Sequence, residues 1–324
     1  MTNYRDAKYT FPTVTFSGAA ESSPVEGNIW YDSGKYYLGT SQSFAGVWSS
    51  GGNLGTARKF PVGCGTQTAG LAAGGNDGSY SNVTEEYDGT SWSAGGNLAT
   101  ARGYFAGAGT QTAGLCMGGS DGSYLDSTEE YDGSSWSSGG DIATARNSLA
   151  AAGTQSAGLC MGGWDDSDSN VTEEYDGSSW SSGGNLATAR EAPAGCGTQS
   201  AGLCMGGRVA GTNSTVTEEY DGSAWSAGGN LATARHALAG AGTQAAGLCM
   251  GGAATGYSNV TEEYDGTSWS AGGNLITARD ALAGAGTQSA GLCMGGQDGS
   301  YLSSTEEYTH PGSYDELFTV SGGL

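Results

Sequence analysis

The sequence predicts an all-β chain closed into a propeller of six blades, and three observations predict it. Glycine doublets at Gly74/Gly75, Gly118/Gly119, Gly162/Gly163, Gly206/Gly207, Gly251/Gly252 and Gly295/Gly296 recur every 44 residues, with a single interval of 45. An arginine (Arg58, Arg102, Arg146, Arg190, Arg235, Arg279) and a tryptophan (Trp48, Trp92, Trp136, Trp180, Trp225, Trp269) recur at the same spacing, so each marker counts six units. Each unit also holds four short β-type segments, and a period of roughly 40–50 residues divided in that way belongs to a propeller blade.

Before the repeats lies an arm, residues 1–47, that has no place in the period. Tyr9 to Phe16 alternates like a strand, Ser17 to Glu26 is polar, and Glu26 to Leu38 reads as an aromatic hairpin turning at Ser33-Gly34. Residues 48–308 are the propeller. In the unit that contains the fifth doublet, Gly251/Gly252, the strands are expected at Ala237–Thr243, Gly247–Met250, Thr261–Asp265 and Ser268–Ser270. The first is built of Gly, Ala and Thr, which pack little in an ordinary strand but fit the crowded axis of a ring. Thr243 to Ala246 is its turn, and Asp265-Gly266 is expected to make a two-residue hairpin.

The two ends of the repeat are out of phase. Trp48 to Leu54 is a fourth strand without its first three, and the last unit stops at Tyr308 without a tryptophan. Joined, they complete one blade, so the N-terminal strand should close the ring and remove its exposed edges. Residues 309–324 leave the repeat, with Leu317 to Val320 a strand expected beside the arm or a partner.

The chain carries a formal charge of -22 and three lysines, Lys8, Lys35 and Lys59, which opposes binding to nucleic acid or to an anionic membrane. No run of apolar residues is long enough to span a bilayer, and the first ten residues lack the apolar core of a secretion signal. Cys116, Cys160, Cys204, Cys249 and Cys293 occupy one strand position in five units, while Cys64 and Cys196 stand where other units have Ala. They read as small buried thiols, and a Cys196–Cys204 bridge is the weaker alternative.

Each unit offers a glutamate pair, from Glu85/Glu86 to Glu306/Glu307. Six identical pairs argue against a catalytic site, which breaks symmetry. The expected arrangement is one Glu per blade paired with the repeat Arg and the other solvated. The tryptophans are expected to wedge between blades, each burying about 150–250 Å². His236 and His310 are the only histidines and no zinc spacing is present, so no metal or cofactor is expected. Asp165 to Asp168 and the Asp77, Asp121 and Asp298 loops read as solvated turns in preference to calcium loops. The copies differ at the loop after each doublet and at the two residues after each Arg. Lys59, Tyr104, Asn147, Trp164, Glu191, Arg208, His236 and Asp280 are the candidate binding residues there.

A doublet ending a strand, a Tyr-Asp about a dozen residues on, a Trp five after the Tyr and an Arg opening the next unit resemble the kelch repeat, from Trp48 to Tyr308. That resemblance implies a propeller with both variable regions around the mouth of its channel, without the ligand set of the copper enzymes built on such propellers. Gly27-Asn-Ile-Trp-Tyr-Asp32, followed by Trp48, resembles a module of bacteriophage tail-fibre and virion proteins. It implies a non-enzymatic attachment component present in many copies in the virion, made in the host cytoplasm. Residues 1–47 would then contact other virion proteins, and the propeller a host-surface protein or glycan. A cytosolic protein-binding scaffold is the alternative reading, and a glycan-active enzyme a more distant one.

Overall fold

The computed structural model describes residues 46–310 in full and, in the flanks, the backbone of the short strands Phe16–Ser17, Ile29–Asp32, Lys35–Leu38, Ser41–Ser43 and Ser313–Asp315. Two compact units are present, one of residues 45–310 and one of residues 1–44 with 311–324. In the latter, Ile29–Asp32 and Lys35–Leu38 form the antiparallel hairpin the sequence predicts. Phe16–Ser17 adds to it in parallel, and Ser313–Asp315 pairs with Ser41–Ser43. The remainder of the alternating stretch from Tyr9, the linker and the strand expected at Leu317 to Val320 lie outside the described residues.

Residues 45–310 form six four-stranded antiparallel sheets in a ring, a β-propeller, with no helix among the described residues. Blade I consists of Val62–Thr66, Ala69–Ala73, Thr84–Tyr87 and Trp92–Ala94, from axis to rim. Blades II to V repeat it. In blade VI the outermost strand is Val47–Ser50, paired with Thr305–Thr309 from the other end of the chain so that Trp48 faces Tyr308. Each inner strand packs on the next, and that of blade VI packs on that of blade I, so the ring is closed.

Small residues line the axis because nothing larger fits. A Cβ on Gly240 would lie 2.8 Å from the carbonyl oxygen of Gly195 in the neighbouring blade. The second strands supply the core, with Leu203, Cys204 and Met205 wholly buried, and all seven cysteines are free and buried. The inner turn is tighter than the outer one. Thr243 pairs with Ala246, leaving only Gln244 and Ala245 to turn. The Asp-Gly turn departs from the two-residue hairpin expected. Tyr264 pairs with Trp269, so four residues intervene; Gly266 alone has positive φ, and Asp265 Oδ1 accepts from the amides of Thr267 and Ser268 at 2.8 and 2.7 Å. The aspartate side chain bonds the loop's own backbone two and three residues on, the Asx-type alternative to a two-residue turn.

Arg58, Arg102, Arg146, Arg190, Arg235 and Arg279 are all fully buried, and each pairs with the first glutamate of its unit, as in Arg102–Glu129 at 2.8 Å. The second glutamate is not simply solvated, as the sequence suggested. It accepts a hydrogen bond from the tyrosine of the following blade: Tyr175 Oη donates to Glu130 at 2.5 Å, and the same bond recurs at all six junctions. Two further bonds cross every junction. Each tryptophan Nε1 donates to a threonine of the preceding blade, as Trp136 does to Thr84 at 2.9 Å. Each inner-turn glutamine donates to two backbone carbonyls of the preceding blade, Gln67 doing so from blade I to Gly291 and Tyr308 of blade VI. These latches repeat six times and fix the blades rigidly around the channel.

Candidate functional site: the channel mouth

The residue after each repeat arginine forms an antiparallel bridge with the first residue after the doublet: Lys59 with Asn76, Gly103 with Ser120, Asn147 with Trp164, Glu191 with Arg208, His236 with Ala253 and Asp280 with Gln297. The two variable regions are therefore joined, and both stand at one end of the channel. In blade IV, Arg208–Val209 pairs with Thr212–Asn213. This unit is the longer one by a residue, and the extra length forms a small hairpin on the rim.

The next residue in each unit, Phe60, Tyr104, Ser148, Ala192, Ala237 and Ala281, has φ between 50° and 59° in every case. A non-glycine residue there costs about 1–2 kcal/mol, yet a chain with 61 glycines uses none at these six positions. The conformation serves a lip that encircles the mouth. Phe60 N donates to Ala281 O, Ala281 to Ala237, Ala237 to Ala192, Ala192 to Ser148 and Ser148 to Tyr104, at 2.7–3.0 Å. Between Phe60 and Tyr104 the rings stack, with centroids 3.9 Å apart and planes at 29°.

Above the lip is a cavity of about 340 Å³, lined by Lys59, Phe60, Tyr104, Ser148, Glu191, Ala192, Arg208, His236, Ala237, Asp280 and Gln297. Below it the channel narrows to an apolar neck of about 90 Å³ bounded by Pro61, Phe105, Leu149, Pro193, Leu238 and Leu282 together with the lip. The cavity is strongly asymmetric, with the stacked aromatic pair on one side and Ala192, Ala237 and Ala281 completing the lip.

Two cations and two carboxylates line this cavity. Arg208 Nη1 lies 3.3 Å from Glu191 Oε1. Lys59 Nζ donates to Gln297 at 3.2 Å and stands 5.7 and 5.3 Å from the ring centroids of Phe60 and Tyr301. Burial pushes the Asp280 carboxyl up, against the opposing influence of Gln297, His236 and Lys59. Burial also lowers the His236 imidazole, helped by the Arg208 guanidinium and opposed by Asp280; its Nδ1 lies 2.8 Å from Asn213 Oδ1. Glu191 is raised by burial in spite of Arg208. Asp280 Oδ1 and Arg208 Nε are buried without a hydrogen-bond partner.

Six of the sequence-predicted residues, Lys59, Tyr104, Glu191, Arg208, His236 and Asp280, thus meet at one cavity. Asn147 and Trp164 are bonded to each other beside it, and Trp164 Nε1 donates to Tyr124 Oη at 3.1 Å on the rim. That rim is laced from blade to blade: Tyr80 bonds Ser120, Tyr124 bonds Asp166, Asp168 accepts from Ala210 N, and Asn213 donates to Ala253 and Ala254. Sequence reasoning named these loops but not their lacing. The recurrent tyrosine four residues into the loop was the available signal. No cluster of three or more metal-ligating side chains occurs among the described residues, and no helix there is long and apolar enough to cross a membrane. A scan against protein-family models and a search of curated proteins each find no match to the chain.

Proposed function

We propose that this chain is a non-enzymatic attachment component of a bacteriophage particle, a kelch-type propeller that recognises a host-surface protein or glycan at its mouth and joins other virion proteins through residues 1–47. The observation that carries this reading is where the asymmetry lies. The blades repeat one set of bonds six times, whereas the mouth alone collects unlike side chains: an aromatic pair, a lysine, an arginine, a histidine and two carboxylates. Rigid scaffolds that vary only in one group of loops are how binding surfaces are built.

Chain direction supports the same division. The blade VI strand Thr305–Thr309 runs away from the doublet loops, and Thr309 pairs with both Ala290, beside the inner turn, and Val47. The chain therefore enters and leaves the propeller at the face opposite the mouth. The repeated carboxylates favour no chemistry, since one of each pair meets an arginine and the other a tyrosine.

The test is mass spectrometry of purified particles, combined with adsorption of the labelled full chain to host cells. Presence in the particle and saturable adsorption are expected. Absence from particles together with recovery of an intracellular protein bound at the mouth would replace this reading with that of a cytosolic scaffold.

A further inference from the structure

We propose that the mouth is a single subsite for one uncharged pyranose unit of a glycan, with the ring's C–H face against the Phe60–Tyr104 wall and its hydroxyls shared among Asp280, Lys59 and Arg208. The inference rests on the recognition role proposed above and names its ligand class.

Charge excludes most alternatives. The cavity holds Lys59 and Arg208 against Glu191 and Asp280, so its lining is neutral overall within a chain of net charge -22. An anionic ligand would approach through the field of the whole protein. A cationic one would find each cavity carboxylate already set against a cation, Glu191 against Arg208 and Asp280 near Lys59, and so gain no net attraction from the lining. A peptide strand finds no free edge to add to, because five of the six lip amides donate to the neighbouring lip carbonyl and the residue before each lip position is engaged in a bridge. A peptide cannot thread further either, since the neck holds only about 90 Å³. The cavity's own volume, about 340 Å³, is at the small end of ligand sites, which start at about 300 Å³.

The remaining polar chemistry asks for hydroxyls. Asp280 Oδ1 is an acceptor and Arg208 Nε a donor, neither of them in a well-aligned hydrogen bond, although Gln297 bears on the Asp280 carboxyl. Unsatisfied buried groups are uncommon in native folds and need a reason. A hydroxyl both donates and accepts, so a ring bearing several answers both atoms after small side-chain adjustments. Aromatic faces carry negative charge density, to which the polarised C–H bonds of a sugar ring are drawn. The strained backbone fits the same account, because Phe60 and Tyr104 alone among the six lip residues bring large side chains into a left-handed conformation.

The experiment titrates the full chain with methyl glycosides of glucose, galactose, mannose and N-acetylglucosamine, and with sialic acid and glucosamine as charged controls, followed by saturation-transfer NMR and calorimetry. At least one neutral glycoside is expected to bind once per chain, with Kd of about 1 mM that copy number on a particle would multiply. Tyr104→Ala and Asp280→Asn should each weaken it at least about tenfold, given that each tenfold is 1.4 kcal/mol. Unfolding curves of the variants, compared with wild type, separate loss of binding from loss of fold. Tighter binding of a charged sugar, a stoichiometry of six, no binding by any neutral glycoside, or indifference to a folded Tyr104→Ala would overturn the subsite. Host-cell adsorption unchanged in both variants would also overturn it while leaving the attachment role standing. Conversely, absence of the chain from particles would refute the attachment role without touching the sugar titration.

Discussion

Replacing Arg102 by Met removes the cation from a pair that solvent does not reach. The Arg102 side chain is wholly buried and that of Glu129 nearly so. Its guanidinium makes four hydrogen bonds, to Gly118 O, Ser127 O, Ser127 Oγ and Glu129 Oε1. Glu129 would be left charged, held only by the amides of Ala99 and Thr100. Stranding one partner of a buried pair costs about 3–5 kcal/mol, which lowers Tm by about 6–20 °C at about 2–4 °C per kcal/mol for a domain approaching this size. Adding Glu129→Gln removes the stranded charge but keeps an acceptor for the two amides, so the double variant should be more stable than Arg102→Met alone. Arg146 is the internal comparison: its pair with Glu173 is 3.0 Å long, its Nη2 contacts Cys160 Sγ, and its Nε and Nη1 have no aligned acceptor. Arg146→Met should therefore cost less, by about 0.5–1.5 kcal/mol for each well-formed bond it lacks. Scanning calorimetry of the four proteins measures all of this. Arg102→Met within about 1 kcal/mol of wild type, or a double variant no better than the single, would refute the claim that these pairs hold the blades.

Other perturbations test other layers. Tyr87, Tyr131, Tyr175, Tyr220 and Tyr264 are pushed up to about 12, by burial first and then by the hydrogen bond to a glutamate. A pKa raised on folding contributes stability that is intact below the unfolded value, about 10, and is lost as pH climbs toward about 12. Absorbance at 295 nm should titrate in two phases, the second coinciding with unfolding; a single phase near 10 would count against the junction bonds. Trp136→Ala should cost about 3–5 kcal/mol, because the ring packs at a tilt against Tyr131 and bonds Thr84 across the junction; a fully stable variant contradicts its wedge role. Native protein should be inert to thiol reagents and release seven thiols on denaturation, since all seven cysteines are buried and free; a count of five would restore the Cys196–Cys204 bridge. Deleting residues 1–54 should expose the edge at Thr305–Thr309 and cause aggregation, and a soluble monomer with unchanged melting would show that closure is dispensable.

Local pattern made the blades legible, whereas the contacts between them left little trace in it. The doublets, the four segments and the split phase led directly to the ring and its closure. The arginine–glutamate pairs followed from burial alone. The second glutamate was misjudged because its partner, as with Glu130 and Tyr175, sits one unit away. In near-identical copies, a bond within a blade and a bond to the next look alike. Gln155 and its equivalents recur in the sequence just as regularly, but their acceptors also lie in the preceding blade, where the repeat does not point. At the mouth, variation marked the positions but not their convergence. Lys59 and Asp280 meet because the backbone after each arginine turns left-handed, and nothing in Phe60 or Ala281 advertises that conformation.

Closure by one borrowed strand also determines how the molecule bears load. Val47 and Thr309 are register partners at the end of the blade VI sheet, so both flanks depart from the same point. A pull between the two flanks would open that sheet like a zipper, breaking Val47–Thr309 first and then Trp48–Tyr308, one rung at a time. A pull between the mouth and one flank meets a different resistance. It is spread over blades latched to their neighbours by tyrosine, tryptophan and glutamine, and the borrowed strand is drawn along its length with its rungs strained together. The ring is thus mechanically weak to separation of its own ends and strong to tension along its axis.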